Sequence, residues 1–135
     1  MLLSASSEYQ RYFVPFPFDT VSIRQMLESA CDDRYWAICL GQDLAGFVML
    51  RGFDNGYEVP SYGVSICERF ARRGLLKLSL SFVIAWCRLN GVPRMMLKVH
   101  PDNLVAKRVY ERVGFRYDRT ESSSGQLVYC LDLEH

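Results

Sequence analysis

The chain has 135 residues, the size of one ordinary domain, and half of them are hydrophobic, which is enough apolar material for a real core. A net charge of +1 gives no bulk electrostatic bias toward nucleic acid, an acidic partner or a membrane surface. The opening residues Met1 to Glu8 carry no basic region ahead of an apolar stretch and do not read as a signal peptide, while the longest apolar run, 78–86, is broken by Ser79 and Ser81 and falls short of the about 20 residues that span a bilayer.

The cysteines Cys31, Cys39, Cys67, Cys87 and Cys130 are scattered without a CxxC pair. That usage suits free thiols in a reducing, cytoplasmic compartment, and it argues against both a disulfide framework and a zinc site. Histidine occurs only at His100 and His135, so a His-rich metal site is excluded. The ending Leu133-Glu134-His135 reads as the start of an affinity tag, which leaves one expected domain over 1–132 and no metal.

In chain order, residues 9–14 suit a strand, followed by an irregular stretch set by Pro15 and Pro17. Asp19 or Thr20 can cap a helix over 21–31, with Ile23, Met26, Leu27 and Ala30 on one face. Apolar runs at 35–40 and 44–50 around the turn Gly41-Gln42-Asp43 predict an antiparallel hairpin. A loop over 52–60 follows, and 62–67 reads as another strand. The longest helical pattern covers 75–89. It is apolar on more than one face and is expected to be well buried. Asn90-Gly91 and Pro93 end it. A short strand at 95–99 leads to a helix over 104–113, with Asp102 or Asn103 at its N-cap and Gly114 at its C-cap. Strands at 115–119 and 126–131 close the chain, and the last of these is a candidate for edge pairing in a homodimer, a monomer being equally allowed. The order predicts an α+β, mixed α/β fold: a central mixed sheet of about six to seven strands flanked by helices, with a parallel crossover between 62–67 and 95–99.

Two segments carry chemistry. The first runs from Ile66 to Leu78 and places Arg69, Arg72, Arg73 and Gly74 in the loop ahead of the long helix. A helix N-terminus presents unpaired N–H groups, so the loop suits a pyrophosphate. It is also compatible with a plain basic loop before a core helix. In the second, a strand delivers Asn103 to a helix start, and Asn103, Ala106 and Tyr110 share one helical face before Gly114-Phe115. Taken singly, Asn103 reads equally as an N-cap and Tyr110 as a half-buried core tyrosine.

Together the two segments resemble the GNAT superfamily of acetyl-CoA-dependent N-acetyltransferases. Phe70 and Gly74 fall on the aromatic and central glycine of its motif A, while Ala71 and Leu76 depart from the residues usual there. The run Val99, Asn103, Ala106, Tyr110, Gly114 and Phe115 is similar to the family's second motif residue for residue. The resemblance covers about 35–131. It implies a sheet splayed between the strands at 62–67 and 95–99, with the pantetheine arm of acetyl-CoA paired to main-chain groups of Val64 and Ile66. It further implies phosphate binding by Arg72, Arg73, Gly74, Leu75 and Leu76, contact of Asn103 with the cofactor arm, and Tyr110 beside the sulfur.

The implied reaction is direct attack of a primary amine on the thioester in a ternary complex. The amine must be neutral, and a lysine-like amine has a pKa of about 10.4, so a base or a desolvating pocket is needed. Glu58 is the first choice of base, His100 the rival, and Asp54 and Tyr62 are weaker candidates. Tyr110 is assigned as the acid that protonates the leaving thiolate, and N–H groups near Ile66 as the oxyanion donors. Cys67 and Cys130 read as packing residues. The acceptor site is expected from Phe13, Phe16, Phe18, Tyr57 and the loop 52–60, and a small-molecule amine is favoured, amino sugars first. A protein lysine or N-terminal acetyltransferase and a non-catalytic acyl-CoA-binding domain are the alternatives.

Overall fold

A computed structural model describes residues 31–134. The strand expected at 9–14, Phe13, Phe16 and Phe18, and the helix expected at 21–31 (its last residue apart) lie outside the described residues. Among those described, six strands and two helices form a mixed α+β unit. They are β1 (Arg34–Leu40), β2 (Asp43–Arg51), β3 (Ser61–Ile66), α1 (Leu75–Leu89), β4 (Arg94–Val99), α2 (Leu104–Val113), β5 (Arg116–Thr120) and β6 (Leu127–Asp132). The strand order is β1-β2-β3-β4-β6-β5, and every neighbouring pair is antiparallel except β3–β4. The parallel pair is the expected crossover through α1. The strand expected as a free edge, 126–131, is instead interior, paired to β4 on one side and β5 on the other. Edge pairing through it is therefore ruled out. Its main chain is already spent, and among the described strands the edges are β1 and β5.

Strand register stacks the core. Leu50 faces Tyr62, Tyr62 faces Leu97, and Leu97 faces Tyr129, a lateral row across four strands. That row packs with Leu80, Val83, Ile84 and Cys87 of α1 and with Ala106 and Tyr110 of α2. Both helices therefore cover the same face of the sheet. On the other face, Phe47 and Met49 of β2 form a smaller cluster, with Tyr35 stacked on Phe47 at 5.9 Å between ring centroids.

The α1 helix departs from expectation. Its buried residues, Leu75, Ser79, Leu80, Val83, Ile84 and Cys87, trace one stripe at helical spacing. Leu78, Phe82 and Leu89 on its other side are 62 %, 47 % and 86 % exposed. The helix is thus buried on one face and carries further apolar residues on its exposed side. Its end is as read: the Asn90 side chain donates to the Trp86 carbonyl at 2.8 Å, and Val92 N–H closes on the Cys87 carbonyl. Leu133 belongs to the packed unit rather than to the tail. It is 4 % exposed in the core, and its N–H donates to the Pro93 carbonyl at 2.8 Å.

Gly46 marks the tightest approach inside the sheet. A Cβ there would meet the Ser65 carbonyl oxygen at 2.8 Å, beside the bulge at Ile38/Cys39. Gly46→Ala is expected to cost about 1–3 kcal/mol, since the obstacle is main chain and cannot swing aside. Urea unfolding checks it: the midpoint falls with the slope unchanged.

Candidate active site

The parallel pairing of β3 with β4 lasts two residues, Ser61 with Met96 and Tyr62 with Leu97. Beyond that rung the strands part. What faces the gap follows from the β2–β3 ladder. Cys67 N–H donates to the Ala45 carbonyl at 2.8 Å, which makes Gly46 and Ile66 a non-hydrogen-bonded pair. The N–H and C=O groups of Ser61, Gly63 and Ser65 then point at β2, and those of Tyr62, Val64 and Ile66 point toward β4. Tyr62 has its rung. Val64 and Ile66 aim their main chain into the opening, as extended backbone ready to pair with a ligand.

That opening leads to a cleft of about 410 Å³ between β3, the start of α1, the loop after β4 and α2. Val64, Ile66, Arg72, Gly74, Leu75, Leu76, Asn103 and Tyr110 all line it, so eight of the nine cofactor residues expected from sequence converge here. Arg73 stands outside the lining: its guanidinium lies 5.5 Å over the Phe70 ring, with that of Arg69 at 4.9 Å. Arg69 also reaches Asp43 at 3.7 Å.

The two helix starts differ. The α2 start is capped by Asn103, whose Oδ1 accepts from Ala106 N–H at 3.3 Å. The α1 start has Gly74 at its N-cap, no side-chain cap and no acidic residue in its first turn. Its first N–H groups thus have no capping side chain among the described residues, and Gly74, Leu75 and Leu76 line the cleft. Two left-handed residues shape the loop there, Gly74 at φ 79° and Arg72 at φ 63°. Glycine adopts that conformation freely, but Arg72 carries strain, of the kind concentrated at ligand-binding turns. This uncapped, cation-flanked end fits an anionic phosphate group.

At the inner end of the cleft sit two tyrosines, their rings edge to face at 6.4 Å. The Tyr62 hydroxyl bonds to Ser79 Oγ at 2.6 Å, and Ser79 in turn donates to the Leu76 carbonyl at 2.9 Å. Burial drives the Tyr62 phenol well above its ordinary value, so it stays neutral and donates to Ser79. Burial also raises the Tyr110 phenol well above the ordinary tyrosine value. His100 opens onto this same cleft. Its Nδ1 accepts the Asp102 N–H at 3.1 Å, which places the proton of the neutral ring on Nε2.

A second, larger cavity of about 960 Å³ lies on the opposite face of the sheet. The loop 52–60 contributes Tyr57 and Glu58, as expected. Sequence reading missed the rest of its wall: Arg94, Met96 and Lys98 of β4, with Asp118, Arg119 and Glu121 beyond them. The signal was present in β4, where Met95, Leu97 and Val99 are buried and their neighbours face away in strict alternation. Cys130 lines the cavity too, but burial raises its thiol, which keeps it protonated. Asp54 is a structural clamp, accepting N–H bonds from Cys31 and Asp32 at 3.0 and 2.6 Å, and these hold its carboxyl below the usual range. Tyr62, Gly63 and Lys98 border both cavities, so the two meet at the splay.

The sequence matches the Acetyltransferase (GNAT) family over residues 2–115. The chain belongs to that family. GNAT enzymes use acetyl-CoA as acetyl donor, and the cleft with its uncapped α1 start fits that donor. No curated protein matches the sequence. Among solved structures it is similar to a domain from Methanocaldococcus jannaschii DSM 2661, with TM-score 0.77 and 13 % identity over 95 % of this chain and 86 % of that one. It is also similar to the ribosomal-protein-S18-alanine N-acetyltransferase of Escherichia coli, with TM-score 0.72 and 17 % identity over 94 % and 84 %. A third likeness is to PaiA N-acetyltransferase from Thermoplasma acidophilum in complex with coenzyme A, with TM-score 0.66 and 16 % identity over 82 % and 65 %. At these identities the likeness is one of fold. No helix among the described residues is long and apolar enough to cross a membrane.

Because Arg72 is strained where glycine is not, Arg72→Gly is expected to keep or raise the melting temperature of this GNAT domain while weakening coenzyme A binding a few-fold, more at low salt than at high. Paired melting and calorimetric titrations check both halves. A lowered melting temperature would mean that the side chain holds the loop.

Proposed function

We propose that the chain transfers the acetyl group of acetyl-CoA to the primary amine of a small molecule by direct attack in a ternary complex, with amino sugars the first class to screen. One observation carries this reading: two cavities on opposite faces of the sheet meet at the β3–β4 splay, so donor and acceptor can approach one point from two sides.

In this reading the open main chain of Val64 and Ile66 pairs with the pantetheine arm. Arg72, Gly74, Leu75 and Leu76 hold the pyrophosphate, with Arg73 adding charge at a distance. The Asn103 Oδ1 is occupied by its cap, which leaves its amide N–H₂ for the cofactor arm. N–H groups near Ile66 stabilise the oxyanion.

Glu58 is the proposed base. It lines the acceptor cavity and is exposed, so water can relay the proton. His100 is the weaker choice, since it opens onto the donor cleft and its Nδ1 is already engaged. Tyr110 is the proposed acid. A raised phenol keeps its proton throughout the working range. The burial that disfavours a phenolate also disfavours a thiolate in the same cleft, so the affinity of the leaving sulfur for a proton rises with it.

A protein acetyltransferase is the second reading. It is favoured by the size of the acceptor cavity and by the E. coli neighbour, whose name states a ribosomal-protein alanine as its substrate.

Acetyl-CoA is expected to stabilise the folded chain by about 2.7 kcal/mol at a hundredfold excess over Kd, read as a raised melting temperature. A shift without transfer to any amine or peptide would identify a non-catalytic acyl-CoA-binding domain, and no shift would sink the reading. Tyr110→Phe is expected to lower kcat by about 10²–10⁴-fold with little change in acetyl-CoA affinity. In the wild type, kcat should show no fall from loss of the Tyr110 proton up to about pH 10, since burial moves that titration upward. An unchanged rate in Tyr110→Phe would remove it from the mechanism.

A further inference from the structure

Lys98 follows the last β3–β4 rung, on the strand position where the two sheets of pairing separate. Its neighbours Leu97 and Val99 are buried in the core, so its side chain leaves the opposite face, toward the acceptor cavity. It borders both cavities and is the only residue with a charged side chain to do so among those described. Its ammonium is 2.7 Å from Glu121 Oε2.

Glu121 is held in turn. Its Oε1 accepts from Ser124 Oγ at 2.8 Å, its N–H donates to the Gln126 carbonyl at 2.8 Å, and its carbonyl accepts Gly125 N–H. Both carboxylate oxygens are therefore engaged, and the contacts with Lys98 and Ser124 hold the carboxyl below its usual range. Glu121 thus fixes Lys98 rather than binding substrate. An ammonium has three N–H donors, and the contact with Glu121 uses one. Two other cations on this wall are matched, Arg94 with Asp132 at 3.3 Å and Arg119 with Asp118 at 2.6 Å. The capacity left at the junction is donor capacity, on a cation.

We infer that Lys98, oriented by Glu121, makes this an acetyltransferase of amines that carry an anionic group, a carboxylate or a phosphate, near the reacting nitrogen. The anion takes the remaining N–H donors of Lys98, and the amine is left toward Glu58. A fixed cation there also disfavours the protonated form of a nearby amine, which helps supply the neutral nucleophile, and it repels polycationic acceptors. The inference rests on the acetyl-transfer reading and narrows its acceptor. Lys98 is a specificity residue here.

The test uses the full chain and matched acceptors: glucosamine 6-phosphate against glucosamine, L-phenylalanine against L-phenylalaninamide, and spermidine as the polycation. Transfer is followed by thiol release, and binding to the coenzyme A complex by calorimetry, so that an acceptor that binds without turning over still counts. The anionic member of at least one pair is expected to exceed its neutral twin at least tenfold in kcat/KM or affinity. The phosphate and carboxylate pairs tell which anion is preferred. Lys98→Met should erase that preference through KM, Lys98→Arg should retain most of it, and Glu121→Gln should weaken it by loosening Lys98. Preference for the neutral twins or spermidine overturns the inference, as does a preference that survives Lys98→Met. So does a Lys98→Met defect confined to coenzyme A binding. An acetyl-CoA melting shift in the wild type separates the two levels: its absence sinks acetyl transfer itself, whereas its presence without anion preference sinks only the assignment of Lys98.

Discussion

The candidate site in this domain hangs on a ladder that stops early. β3 and β4 pair over two residues and then diverge. Parallel strands buried in a sheet normally satisfy each other's main chain along their full length. Here the pairing ends at Tyr62 and Leu97, and the next outward-facing groups of β3, on Val64 and Ile66, are left to the cleft. The flanking ladders prevent the gap from closing. β2 fixes β3 by six register pairs, and β6 fixes β4 by six more, so the two halves are each rigid and the opening between them is a property of the sheet.

The helices are placed to use that opening. Both cover one face, and their N-termini border the same cleft. Asn103 caps α2 with its own side chain, while α1 begins at a glycine with no cap at all. One helix start is capped within the protein, and the other is left open toward the cleft. The strain at Arg72 belongs to the same design, because a left-handed arginine costs stability that only a positioned loop repays.

Near the meeting point of the two cavities stand the Tyr62 phenol of β3, the Tyr110 phenol of α2 and Lys98 of β4. Tyr62 is tied into the helix through Ser79, while the buried Tyr110 phenol lines the cleft. Lys98 is tied to Glu121 on the far face. The fold thus sets the buried phenols on the helical side of the sheet and the Lys98–Glu121 pair on the other.

Much of this was legible in the residues. The periodicities gave every described strand to within one residue at either end, and α1 and α2 to the residue, because apolar period and glycine or asparagine stops act locally. The motif around Asn103 and Tyr110 announced the family, and Gly74 marked the head of α1. The interior position of β6, the single buried stripe of α1 and the inclusion of Leu133 in the core were not legible, since each depends on which strand a segment meets rather than on its own pattern. The acceptor wall is the clearest case. Arg94 and Lys98 of β4 and Arg119 and Glu121 at the end of β5 come from two segments that share this wall only because β6 pairs with both strands. The sequence by itself determined the elements, the donor motif and the chemistry available to it. The tertiary structure alone decided where the ladder breaks and which charges gather at the break, because strand order and register are set by long-range pairing that no local pattern encodes.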